Sequence, residues 1–126
     1  MALVEAIYRA TKALPDHERF NLTSQMLRAA VSIPSNTAEG AARKSTVEYL
    51  RYLSISRGSL AELDTQCEIA VRLGYFSRSE DHVELVDRTY AKLNALMQSL
   101  DRRLSQKTSN SESPIPNHES RPSHAR

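Results

Sequence analysis

From Tyr49 to Ala70, apolar or small residues recur at alternating spacings of four and three: Tyr49, Leu53, Ser56, Leu60, Leu63, Cys67 and Ala70. This register holds one side of an α-helix against a partner and suits no strand, whose sides alternate at every second residue. It predicts a helix from Thr46 to Leu73, about 42 Å long at ~1.5 Å per residue, with Gly74 as its stop. Tyr52, Ile55 and Ile69 lie beside the seam, so this helix carries more apolar surface than one packing contact needs. Such an element cannot bury its seam alone.

The rest of the chain supplies partners for it. Val83, Val86, Tyr90, Leu93, Met97, Leu100 and Leu104 keep heptad register and predict a helix from about Ser79 to Leu104. Upstream, Leu22, Met26, Ala29 and Ile33 predict a helix from about Asn21 to Ala42. Pro34 deletes one backbone hydrogen bond inside it, so a kink is expected rather than a break. A first helix is read from Leu3 to Leu14 on the stripe Leu3, Ile7, Ala10 and Leu14; Pro15 blocks it and Asp16 to Phe20 connects onward. Arg43-Lys44-Ser45 forms the next turn, with Ser45 or Thr46 as cap and Glu48 placed for a capping box. Small residues on both surfaces (Ala29, Ala30 and Ser32 on the second helix, Ser56, Gly58 and Ser59 on the third) predict a close approach of the two.

With two prolines and three glycines in the first 104 residues, the chain has too few turn formers for an all-β fold. The expected fold class is all-α, an antiparallel up-down-up-down four-helix bundle over residues 1–104. It is expected to be oligomeric, because a second subunit most simply covers the spare apolar face of the third helix. Residues 105–126 hold six serines, three prolines and almost nothing apolar beyond Ile115, and are expected to form a flexible tail.

Catalysis finds no support in the residues. His17, His82, His118 and His124 read as surface positions, and local spacing sets no serine or cysteine beside any of them. No H-x-x-x-H or E-x-x-H pair is present, and Gly40, Gly58 and Gly74 are too isolated to form a phosphate loop. The single cysteine, Cys67, rules out an internal disulfide and lies on the seam, where a small buried hydrophobe is the default. No enzyme, metal or cofactor is therefore expected. No apolar run approaches the ~20 residues of a membrane span, and the N-terminus lacks a secretory signal pattern, so a cytoplasmic protein is expected.

Charge gives the functional expectation. Lys and Arg number 17 against 15 Asp and Glu, a net of +2, which excludes a dedicated polycation but permits a basic patch. If the helices alternate, one pole holds Arg43, Lys44, Arg51, Arg102 and Arg103 against Glu39, Glu48 and Asp101, a net of +2. The other holds Lys12, Arg19, Arg72 and Arg78 against eight carboxylates, a net of −4. A ring of parallel subunits would repeat the basic pole around one opening, where phosphate is attracted. RNA or DNA is the expected partner there, with Arg57 further along the third helix. The competing reading is a structural or protein-interaction module.

The stretch from Phe20 to Phe76, "FNLTSQMLRAAVSIPSNTAEGAARKS" followed by "EYLRYLSISRGSLAELDTQCEIAVRLGYF", strongly resembles the bacterial 23S ribosomal RNA intervening-sequence proteins. The matching motifs are Leu22 to Gln25, Arg28 to Asn36, Ala38 to Gly40 and Ser56 to Leu63. Where the family often has Phe-Gly-Arg after its Ala-Glu-Gly, this chain has Ala41-Ala42-Arg43, without the aromatic contact at that corner. The resemblance implies a short antiparallel bundle assembled as a homopentamer, with no assigned activity. A similar bundle is the accessory protein of diversity-generating retroelements, whose basic pentameric ring is implicated in binding nucleic acid and reverse transcriptase. The resemblance therefore implies an accessory factor linked to intervening sequences in ribosomal RNA.

Overall fold

The computed structural model describes residues 1–77 and 81–110. They form four helices and no strand: α1 (Ala2–Ala10), α2 (Leu22–Ala41), α3 (Thr46–Arg72) and α4 (Asp81–Asn110). The chain is an all-α four-helix bundle. Arg78, Glu80, His118 and His124, and the expected tail beyond Asn110, lie outside the described residues.

Helix α1 ends sooner than its stripe predicts. It gives way at Ala10 to a 3₁₀ turn, Thr11–Ala13, in which the Thr11 hydroxyl donates to the Tyr8 carbonyl at 3.1 Å. Leu14 is then extended at φ −74° and ψ 144°, the conformation a following proline imposes. The connection to α2 contains a second 3₁₀ turn, Asp16–Glu18. A Glu18 carboxylate oxygen accepts the Leu22 N–H at 3.4 Å, satisfying one of the donors left open at the start of α2.

Helix α2 passes through Pro34 as one element. At the start of α3 the cap is Ser45, whose Oγ accepts the Glu48 N–H at 3.0 Å. At its far end Gly74 takes φ +84°, open to glycine without strain. The Tyr75 N–H then reaches back to the Ala70 carbonyl at 2.8 Å, closing the α3 terminus. Helix α4 continues past the expected Leu104 to Asn110. The intervening Gln106 and Lys107 are good helix formers, and no proline stands before Pro114.

The core is one cluster fed by all four helices. Ile7, Met26, Leu53, Leu60, Leu63 and Val86 are its largest wholly enclosed aliphatic side chains, each stabilising by roughly 1.5–3 kcal/mol through burial. The expected α3 seam is buried from Leu53 to Ala70, with Tyr49 half-buried. On α4, Val86, Leu93, Met97 and Leu100 are buried, whereas Val83 is 37% exposed.

Helices α2 and α3 share the most extensive contact, along which Ser32 meets Ser59, Ile33 and Thr37 meet Ser56, and Gly40 meets Tyr52. Small residues do bring them close, but Gly58 takes no part, for nothing lies within 4 Å of where its Cβ would stand. Gly40 takes that role. A Cβ there would stand 2.7 Å from the Tyr52 Cβ and 3.0 Å from Tyr49 Cδ1.

One histidine reading needs correcting. His82 is buried at 2% exposure, with its ring 4.7 Å from that of Phe76. Its position in the first turn of α4 suggests solvent, but the chain folding back after Gly74 lays Phe76 over it.

Candidate nucleic-acid interface

The expected basic site divides into a cap and a groove. The cap begins where α2 ends. Arg43 Nη2 donates to Glu39 Oε2 at 2.7 Å and to the Tyr52 hydroxyl at 2.8 Å, and its guanidinium carbon lies 5.0 Å from the Tyr52 ring centre. Arg51, one position before Tyr52 on α3, lies 4.8 Å from the same ring centre and 3.4 Å from Glu48 Oε1. Glu48, by hydrogen bond and charge, raises the Arg51 pKa further above its ordinary value. Two guanidinium groups thus share one tyrosine ring, each held by its own glutamate. Exposed pairs of this kind contribute about 0–1 kcal/mol each, so they position the cations more than they stabilise the fold.

Lys44 is exposed in the turn and, among the described residues, makes no ion pair. Arg102 and Arg103 are exposed on α4. They directly follow Asp101, which lines a groove together with Arg51.

Arg57 does not join the cap. It stands six residues beyond Arg51, roughly 9 Å along the helix, half-buried, with Nη1 donating to Asn94 Oδ1 at 2.9 Å. There it lines an open groove of about 980 Å³ between α3 and α4, whose walls include Val47, Leu50, Arg51, Tyr90, Asn94 and Gln98. Burial, reinforced by Asp64, pushes the Tyr90 hydroxyl pKa up while Arg57 opposes the shift.

The reading of charge grouped Arg43, Lys44, Arg51, Arg102 and Arg103 from helix topology alone, and the structure brings Arg43 and Arg51 together on the Tyr52 ring. It missed the roles of Tyr52 and Asn94, and counted Glu39 only as an opposing charge at that pole. Tyr52 was legible only as an apolar neighbour of the seam, since a ring serving two arginines depends on the turn geometry. Glu39 and Arg43, spaced i to i+4 with the acid first, were the one available signal.

Elsewhere the structure offers little chemistry. Burial, reinforced by Asp64, pushes the Cys67 thiol up to about 12, leaving it protonated and inert near neutrality. Among the described residues no three His, Cys, Asp or Glu side chains converge to hold a metal. No helix among them is long and apolar enough to cross a membrane.

The model of one family, described as 23S rRNA-intervening sequence protein, matches residues 1–102. No curated protein matches the chain significantly.

Proposed function

The chain belongs to the 23S rRNA-intervening sequence protein family, and on that premise we propose that it is a non-enzymatic accessory factor that binds nucleic acid. In this reading the helices alternate up and down, the bundle assembles as a homopentamer in the cytoplasm, and the basic cap of each subunit faces one opening of the ring. The observation that carries it is the paired arginine arrangement on Tyr52, with the exposed Lys44 next to Arg43 in the turn and Arg102 and Arg103 following Asp101, which lines the groove with Arg51. Five cations from two helices and the turn between α2 and α3 fit a phosphate backbone, which is recognised by charge and carries no sequence information. Arg57 then meets a strand that follows the groove beyond the cap.

Labelled single- and double-stranded RNA and DNA, titrated against the full chain at about 50 and 200 mM salt, test this reading. Binding is expected at the lower salt with little sequence preference. Changing Arg43, Lys44 and Arg51 together to Gln should weaken it on every sequence and flatten the log–log salt dependence by roughly 0.9 per lost phosphate contact. Absence of binding at the lower salt rejects the reading in favour of a protein-interaction module. Binding that survives the triple change intact rejects the assigned surface.

A further inference from the structure

The close contact of α2 with α3 gives way to a pocket beyond Ser32. Residue numbers fall along α3 as they rise along α2: Ser32 meets Ser59, Ile33 and Thr37 meet Ser56, and Gly40 meets Tyr52. Carried back past Ser32, that register sets Arg28 level with Glu62 and Gln25 level with Gln66. With Ser32 and Ser59, these four line a pocket of about 220 Å³. A cavity of ~150 Å³ holds benzene, so there is room here for a molecule of about six heavy atoms. Gln66 follows Tyr52 by fourteen residues, about 21 Å along α3, so the pocket is separate from the basic cap.

Its inner wall lacks a hydrogen-bond donor. Gln66 is 9% exposed, and its Oε1 is buried and receives no hydrogen bond from any described residue. A buried carbonyl oxygen left in this way is costly, and native proteins rarely tolerate one. The opposite amide does not serve it, because Gln25 Nε2 donates to Asn21 Oδ1 at 3.1 Å. The Ser32 and Ser59 hydroxyls are bonded to each other at 2.6 Å, and Asn36 Nδ2 donates to Ser32 Oγ at 3.2 Å. At the mouth stand one exposed cation, Arg28, and one exposed anion, Glu62. Neither forms an ion pair among the described residues.

We propose that this pocket binds a small zwitterion, a free α-amino acid of about alanine's size. Its ammonium donates to Gln66 Oε1 and to the Glu62 carboxylate, and its carboxylate accepts from the Arg28 guanidinium. An ammonium carries three donors and no acceptor, which suits a carbonyl oxygen and a carboxylate side by side. A guanidinium fork holds a carboxylate through two parallel hydrogen bonds. An anion alone would leave Oε1 without a donor, and a simple amine would leave Arg28 without a partner. Both charges on one small molecule answer all three groups. The site shares no residue with the cap or the α3–α4 groove, so it stands whether or not nucleic acid binds.

Titration calorimetry of the full chain with L-alanine tests this, with propionate and ethylamine as halves of that molecule carrying one charge each. L-alanine should bind with a dissociation constant of about 1 mM or tighter, and each half about tenfold more weakly or worse. Glu62→Gln and Arg28→Gln, at exposed positions, should each weaken L-alanine binding by about tenfold without moving the ligand-free melting temperature. Gln66→Met should weaken it too, while the ligand-free protein melts at the same or a higher temperature because the orphan oxygen is gone. Should that variant fail to fold, the two exposed variants decide. No binding of L-alanine up to about 20 mM overturns the proposal and leaves Oε1 to solvent. So does a half that binds as well as the whole, or an affinity that survives the exposed substitutions.

Discussion

Helix α3 has a closed side and an open side, and the contrast lies in side-chain size. Toward α2 it presents Ser59 to Ser32, Ser56 to Ile33 and Thr37, and Tyr52 to Gly40, so the backbones approach until hydroxyls bridge them. Ser56 Oγ donates to the Ile33 carbonyl at 2.9 Å and lies 3.0 Å from Thr37 Oγ1. Toward α4 the facing residues include Leu50, Arg57, Tyr90 and Asn94, and an open groove lies between the helices. One long helix thus builds a close-packed pair on one side and an open groove on the other. The difference follows from ridge packing, in which small residues let axes close and large ones hold them apart.

The same substitution made on the two sides tests the contrast most directly. Gly40→Ala puts a Cβ against the Cβ of Tyr52, an atom fixed to the backbone. Overpacking of this kind costs about 1–3 kcal/mol, against roughly 1 kcal/mol regained in helix propensity. A net loss of up to about 2 kcal/mol is expected by urea unfolding on that balance. Gly58→Ala on the open side meets nothing within 4 Å. It should stabilise the protein by about 0.5–1 kcal/mol through propensity alone. Two gains of equal size would show that the closed side is looser than described. The smallest effect belongs to Asn94→Ala, which removes the bond to Arg57 across the groove. Its cost should be about 0.5 kcal/mol, the low end for a hydrogen bond open to water. A loss several times larger would mean that this bond, rather than the buried leucines, holds α4 in place.

Much of this was legible from periodicity. The α3 seam, the Ser45 cap and the continuity of α2 through Pro34 depend on residues close in sequence, and local chemistry fixes them. The readings that failed depend on what the chain meets after it turns. Leu14 could extend the α1 stripe on paper, but Pro15 forces it out of the helix. His82 has nothing in its own helix to bury it and is covered by Phe76 across the corner. Gly58 lies among small residues and looks like a packing glycine, yet its direction on α3 is toward the groove. Arg57 was placed further along α3 than the basic pole, and the contact with Asn94 that holds it in the groove comes from another helix and leaves no local signal. Charge totals locate an end of the molecule; only the fold shows which cations already have a partner.

That last point bears on the proposed encounter with nucleic acid. Glu39 and Glu48 stand 2.7 Å and 3.4 Å from the two guanidinium groups on Tyr52, so from a distance each pair is close to neutral. The far field of the cap is left mainly to Lys44, Arg102 and Arg103, and salt of about 0.15 M screens it within roughly 8 Å. Long-range steering of a polyanion toward one subunit is therefore weak, and capture is slow. Once contact is made, Arg43 and Arg51 act by exchange: a phosphate takes the place of a carboxylate on a cation already oriented by the ring. Such a surface discriminates by residence time rather than by arrival, with dissociation setting most of the difference between strong and weak partners.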